Sequence, residues 1–187
     1  MYSPRRMSDK KILSNQLPKR TIALVGLMGV GKTSIGKRLA VRLGIPFVDA
    51  DHEIEVAAGK SIAEIFADHG EAYFREGERR VISRLIENGA QVLATGGGAF
   101  INDDTRERIA GHGVSVWLKA DLPLLMKRVN KRSDRPLLLN DNPQAVMQRL
   151  MDERYPIYAK ADVIVESRDV QHTQMVNDVI KTLAKWP

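Results

Sequence analysis

Residues 26–33 carry the spacing G-x-x-x-x-G-K-T, which is the pattern of a phosphate-binding loop, or P-loop. Glycine has no Cβ, so the backbone can wrap closely around phosphate oxygens and direct its N–H groups at them. Lys32 would reach the β- and γ-phosphates of a nucleotide, and the Thr33 hydroxyl would coordinate Mg²⁺. We therefore expect a nucleotide site that includes Gly29, Val30, Gly31, Lys32, Thr33 and Ser34, with Lys32 also catalytic.

Two carboxylates, Asp49 and Asp51, follow a short apolar run two positions apart. Phosphoryl transfer to an alcohol needs one carboxylate near Mg²⁺ and another that orients or deprotonates the attacking hydroxyl. The spacing suits that division of roles. It leaves open the alternative that one of the two, Asp51 above all, only caps the following helix.

Three arginines stand in segments that could bring positive charge to such a site: Arg75, Arg135 and Arg154. Two fixed arginines suit a substrate carboxylate, because the guanidinium fork matches a carboxylate in a bidentate manner. An arginine in a proline-broken loop, such as Arg135, is a candidate lid residue that neutralises the transferring phosphoryl group. Spacing alone favours the alternative that Arg75 is an ordinary solvated charge, and Arg154 could be a helix-end cation that the helix dipole favours. Composition alone does not single out these three from the other arginines of the chain.

The elements around these residues predict how they are positioned. Residues 21–25 form an apolar run before the glycine loop, and Ile35, Leu39 and Leu43 make one helical face after it. Further strands are predicted at 47–48, 91–95, 114–118 and 163–165, alternating with helices. This alternation predicts an α/β fold of three α/β/α layers around a five-stranded parallel sheet.

The helices are predicted at 51–58, from Ser61 to a break at His69–Gly70, and at 71–88, 102–110, 121–129, 143–155 and 170–185. The polar span 130–142, interrupted by Pro136, is expected to be a mobile loop. Ligands of parallel sheets bind at the carboxyl ends of the strands. The P-loop, Asp49, Asp51 and a Gly96–Gly98 turn all fall at that edge.

Length, composition and charge limit the classes of protein to which the chain could belong. The 187 residues are 43% hydrophobic, contain no cysteine and include no apolar run long enough to cross a membrane. Residues 1–20 hold six basic residues against one acidic residue, so they carry nearly all of the net charge of +6. We expect a disordered basic tail over 1–19 and a single domain over 20–187, cytoplasmic and monomeric, with no membrane partner. A nucleic-acid-binding surface normally places its basic excess on the folded body, which argues against that partner here.

Taken together, the motifs resemble those of shikimate kinases, in the same order along about residues 20–185. The matching segments are the P-loop, FVDAD at 47–51, FREGE at 74–78, TGGG at 95–98, RPLL at 135–138 and ERYPIY at 153–158. The resemblance implies a P-loop kinase fold with an acceptor-binding region at about 50–90 and a lid at about 130–142. It also implies transfer of the γ-phosphoryl group of ATP to the 3-hydroxyl of shikimate, in aromatic amino-acid biosynthesis.

The resemblance also assigns roles on the acceptor side. Asp51 would be the catalytic base or orienting group for the reacting hydroxyl. Arg75 and Arg154 would grip the shikimate carboxylate, and the backbone at Gly97 and Gly98 would contact the ring hydroxyls.

On the nucleotide side the resemblance implies that Thr33 binds Mg²⁺ directly and Asp49 binds it through water. Arg135 would close with the lid, touching ATP and taking part in catalysis, and Arg128 would pack on adenine. The segment 166–169 lacks the Asn-Pro type of turn that is associated with adenine contacts in some members of the family. A kinase for another small acid, such as gluconate, is the nearest rival. A regulatory or nucleic-acid-linked P-loop protein that uses the tail as its binding arm is the rival from another class.

Overall fold

The computed structural model describes residues 20–131 and 142–187. Its centre is a sheet of five parallel strands, namely β1 (Thr21–Val25), β2 (Phe47–Asp49), β3 (Gln91–Ala94), β4 (Gly113–Lys119) and β5 (Val163–Glu166), in the order β2-β3-β1-β4-β5. Every residue of the central strand β1 is buried. Successive side chains of a strand point to opposite faces, so both faces of the sheet are covered. The predicted three-layer α/β fold is confirmed.

The helices are α1 (Lys32–Leu43), α2 (Ala50–Ala58), α3 (Ile62–Ile86), α4 (Asp103–His112), α5 (Leu122–Val129), α6 (Pro143–Tyr158) and α7 (His172–Leu183). A short 3-10 turn at Ala99–Ile101, which the sequence analysis did not include, precedes α4. In the described part of the chain, none of these helices is both long and apolar enough to cross a membrane. The predicted tail over 1–19 and most of the predicted lid, with Arg135, lie outside the described residues.

The start of α3 could be predicted from the local sequence, whereas the end of α6 could not. Ser61 is the N-cap of α3, where the sequence predicted the helix to start, and it forms a capping box with Glu64. The backbone of Gly70 is non-helical (φ 79°, ψ 178°), so α3 is kinked where the sequence predicted a break. The predicted end of α6 at Tyr155 is wrong, since the helix continues through Pro156 to Tyr158. Proline removes one backbone hydrogen bond, and the complete burial of Tyr158 in the core offsets that loss.

The first helix lies close against the sheet because Gly36 has no side chain. A Cβ on Gly36 would lie 2.6 Å from Cε2 of Phe47 in β2. This approach fixes the start of α1, and therefore the P-loop, relative to the strand that carries Asp49.

Candidate active site

The P-loop joins β1 to α1 and depends on glycine for backbone conformation and for packing. Gly26, Gly29 and Gly31 have φ values of 137°, 84° and 102°, in the left-handed region that favours glycine. A Cβ on Gly26 would lie 2.7 Å from the Leu118 carbonyl oxygen, and one on Gly29 would lie 2.8 Å from Cγ2 of Val129. The loop is therefore held against the end of β4 and against α5.

Lys32 and Thr33 begin α1 directly behind the loop. The Lys32 ammonium donates to the carbonyl oxygens of Gly26 (2.7 Å) and Leu27 (3.0 Å), so its charge lies over the loop. The Thr33 hydroxyl donates to Asp49 Oδ2 at 2.9 Å. The structure thus brings together the two residues predicted to serve Mg²⁺.

Asp49 and Asp51 have different roles, and the residue that caps the following helix is not Asp51, as the spacing had left open, but Asp49. Asp49 is the N-cap of α2, and its Oδ1 accepts a hydrogen bond of 3.1 Å from the Asp51 backbone N–H. Capping therefore belongs to Asp49, and the Asp51 carboxylate stays available to the cleft. Asp51 is exposed as a whole residue, but partial burial of its carboxyl group is the largest cause that raises its pKa, followed by the negative charge of Asp49. The positive charges of Lys32 and Arg75 oppose that rise.

A cleft of about 520 Å³ opens at the carboxyl edge of the sheet. Its lining includes the predicted residues Gly29, Val30, Gly31, Lys32, Thr33, Ser34, Asp49, Asp51, Gly97 and Arg128. Residues from the first, second and third strand ends thus meet at one site, as predicted for a parallel sheet.

The glycine turn after β3 is surrounded by charged groups that leave almost no room for side chains. A Cβ on Gly96 would lie 2.7 Å from Glu78 Oε1 and 2.9 Å from Asp51 Oδ1. On Gly98 it would lie 2.4 Å from an Arg75 guanidinium nitrogen. On Gly97 it would lie 3.4 Å from an Arg154 nitrogen. Arg75 and Arg154, 79 positions apart in the chain, therefore approach the same turn.

Glu78 is a residue of this site that the sequence analysis did not single out. It is 3% exposed, and its Oε2 accepts a hydrogen bond of 2.7 Å from Arg75. Within the described residues, its Oε1 has no hydrogen-bond partner. Burial raises the pKa of Glu78, and the adjacent Arg75 opposes that rise. The available signal was its position three residues after Arg75, where two helical side chains meet.

Tyr158 is a second such residue, on α6 with Arg154. Its hydroxyl donates to the Gly97 carbonyl oxygen, and the positive charge of Arg154 opposes the rise that burial causes in the pKa of this hydroxyl. The signal was its place in the 153–158 motif, four residues after Arg154, but the sequence indicated no partner for it.

Arg128 ties the P-loop to the segment after β5. Its guanidinium donates to the Val30 carbonyl oxygen (2.9 Å), to the Ser167 hydroxyl (3.0 Å) and to the Arg168 carbonyl oxygen (2.8 Å). The residue lies in the cleft lining, where the sequence predicted an adenine contact. Its hydrogen bonds show a bracing role that the sequence did not indicate.

Comparisons with known proteins place these features in a family context. A family profile described as Shikimate kinase matches residues 28–184. A shikimate kinase of Bradyrhizobium diazoefficiens is 53% identical over 180 residues, covering 96% of this chain and 87% of that protein. The structure described as shikimate kinase from Acinetobacter baumannii in complex with shikimate superposes with a TM-score of 0.86 at 34% identity, covering 93% and 97% of the two chains. A gluconokinase from Sinorhizobium meliloti superposes with a TM-score of 0.56 at 20% identity over 89% and 93% of the chains, which shows a likeness of fold alone.

Proposed function

The chain belongs to the shikimate kinase family of ATP-dependent phosphotransferases, and we propose that its cleft transfers the γ-phosphoryl group of ATP to the 3-hydroxyl of shikimate. The products are shikimate 3-phosphate and ADP. One observation carries the proposal: two arginines from distant helices and Asp51 approach a single glycine turn beside a P-loop.

The acceptor carboxylate binds to Arg75 and Arg154. Arg75 is held by Glu78 and also contacts the Phe74 ring, with 5.1 Å between the guanidinium carbon and the ring centroid. A guanidinium that is already fixed loses little conformational entropy on binding and presents a defined fork to a carboxylate. The backbone at Gly97 and Gly98, open because it carries no side chains, contacts the ring hydroxyls.

Asp51 orients the attacking hydroxyl and accepts its proton. Phosphoryl transfer needs little covalent chemistry from the protein, so positioning and charge carry most of the catalysis. Burial and the nearby charge of Asp49 raise the pKa of Asp51, which makes its carboxylate a stronger base than that of an ordinary aspartate.

The nucleotide phosphates bind to the loop backbone, to Lys32 and to Ser34. Thr33 and Asp49 would hold Mg²⁺, and their adjacent oxygens are the hard ligands that this ion prefers. The ion, when bound, neutralises charge on the β- and γ-phosphates. The described residues contain no cluster of three or more acidic or histidine side chains for a metal, which fits an ion held partly by substrate phosphates. Arg128 packs on adenine, and Arg135 belongs to the lid over about 130–142.

The gluconate alternative has less support, because the similarity to a gluconokinase extends to the fold alone, whereas that to shikimate kinases includes the sequence. The deciding experiment measures ADP release from Mg·ATP with the full chain, with and without shikimate, and with gluconate as the control acid. Strong stimulation by shikimate alone is expected. Stimulation by gluconate, or by neither acid, would overturn the acceptor assignment. RNA or DNA binding with a steep salt dependence, lost on deletion of residues 1–18, would favour the nucleic-acid alternative.

A further inference from the structure

Tyr158 lies beneath the acceptor side of the cleft with its ring completely buried. The ring is surrounded by other aromatic rings, with centroid separations of 5.8 Å to Trp117, 6.2 Å to Tyr155 and 6.4 Å to Phe100. These contacts hold the ring in one rotamer, as in other closely packed cores, and therefore fix the position of its hydroxyl.

The hydroxyl connects α6 to a part of the acceptor site that comes from another element. It donates to the carbonyl oxygen of Gly97, in the turn after β3, and a Cβ on that glycine would lie 3.4 Å from an Arg154 guanidinium nitrogen. Arg154 and Tyr158 are four residues apart in α6, so their side chains lie on the same helical face. The hydroxyl is thus bonded to the turn proposed for the ring hydroxyls, and that turn lies beside the arginine proposed for the shikimate carboxylate.

The bond to Gly97 also determines the direction of a neighbouring donor. The described chain contains no cis peptide, and the C=O and N–H of a trans peptide point to opposite sides of its plane. Holding the Gly97 carbonyl toward the buried Tyr158 therefore directs the Gly98 N–H away from it. The Cα of Gly98 in turn lies against the Arg75 guanidinium, so the orientation of this peptide also affects the second proposed carboxylate ligand.

We propose that Tyr158 is a positioning residue of the acceptor site, whose hydroxyl fixes the orientation of the Gly97–Gly98 peptide beside Arg154 before shikimate binds. The inference rests on the proposed function, because it assigns acceptor binding to Arg154 and Gly98. Burial raises the pKa of Tyr158 to about 12, so the hydroxyl remains a donor throughout the neutral pH range.

The chain offers a matched pair of substitutions for the test. Tyr158→Phe removes the hydroxyl and keeps the buried ring. Tyr155→Phe removes a hydroxyl of the same aromatic cluster and helix, whose acceptor is the Ala120 carbonyl oxygen after β4. Both leave one carbonyl without a partner, so both lower the melting temperature. Only Tyr158→Phe loosens the acceptor site.

The experiment measures KM for shikimate and for ATP, kcat, and shikimate binding by calorimetry without ATP, in the wild type and both variants. For Tyr158→Phe we expect KM and Kd for shikimate to rise about 5- to 30-fold, the equivalent of one lost buried hydrogen bond. KM for ATP should change less than about twofold, within the error range of such measurements. Tyr155→Phe should change neither Michaelis constant.

The opposite results would overturn the inference. They are unchanged shikimate constants in Tyr158→Phe, equal changes for shikimate and ATP, or the same shikimate defect in Tyr155→Phe. Failure of the proposed function itself is distinguishable, because the wild type would then show no shikimate-dependent ADP release at all.

Discussion

The substitution Gly98→Ala tests whether the glycine turn is required by the arginine beside it. The backbone of Gly98 (φ −96°, ψ −14°) is one that alanine adopts without strain. The new methyl group would stand 2.4, 2.6 and 2.7 Å from Nη1, Cζ and Nη2 of Arg75. Because optimal non-bonded separations are about 3.5–4.0 Å, the guanidinium must retreat by about 1 Å.

That retreat has a calculable consequence. The hydrogen bond from Arg75 to Glu78 is 2.7 Å long, and a displacement of this size carries it beyond hydrogen-bonding distance. A hydrogen bond to a charged group contributes about 1.5–3 kcal/mol, so loss of the one that Arg75 is proposed to make to the shikimate carboxylate corresponds to about 10- to 150-fold in affinity. We therefore expect KM for shikimate to rise by about that factor, while KM for ATP stays nearly unchanged.

Steady-state kinetics with both substrates varied, together with melting temperatures, would measure this effect. The matched control is Gly111→Ala, since a Cβ at that position in α4 meets nothing within 4 Å. A double-mutant cycle tests whether the effect acts through Arg75. In an Arg75→Ala background, Gly98→Ala should add little to the rise in KM for shikimate. The reasoning is refuted if Gly98→Ala folds normally and binds shikimate as the wild type does.

Three further outcomes are expected. Asp51→Asn should lower kcat by about 10²- to 10⁴-fold, the range of general base catalysis, while calorimetry still shows ATP binding; near-normal turnover would remove Asp51 from catalysis. Arg75→Ala should raise KM for shikimate much more than KM for ATP, and an unchanged KM for shikimate would exclude a carboxylate contact. Because the pKa of Asp51 is raised above 3.8 and its ionised form accepts the proton, kcat/KM for shikimate should decline on the acid side with an apparent pKa above 3.8. A profile that stays flat down to that value, in protein shown to be folded, would contradict this.

The nucleotide half of the site could be predicted from the sequence because its signals are local. The P-loop spacing and the apolar periodicity after it fix the strand, the loop and the helix within about twenty residues. The capping role of Asp49 could not be read in the same way. Residues at i and i+2 both stand near a helix start, and only the backbone geometry shows that the Asp51 N–H reaches Asp49 Oδ1.

The acceptor half depends on contacts between distant segments. Spacing did not distinguish Arg75 and Arg154 from other arginines, and the family resemblance was needed to single them out. Glu78 and Tyr158 were missed because their partners come from the fold. The hydroxyl of Tyr158 meets the carbonyl of a residue 61 positions earlier. Helical periodicity marks Tyr158 as a candidate for burial, but it contains no information about that carbonyl.

The order of strands in the sheet has a consequence for how the chain matures during synthesis. The central strand β1 leaves the ribosome first but pairs with β3 and β4, beginning with Thr21 opposite Gln91 and Gly113. The contacts that confine the P-loop arrive later still, since Gly26 lies against Leu118 and Gly29 against Val129. The phosphate-binding motif is thus translated early, but the last of the residues that confine it, Val129, follows the end of the motif by 96 positions. A nascent chain that stalls before β4 carries the complete motif without the walls that make it a nucleotide site.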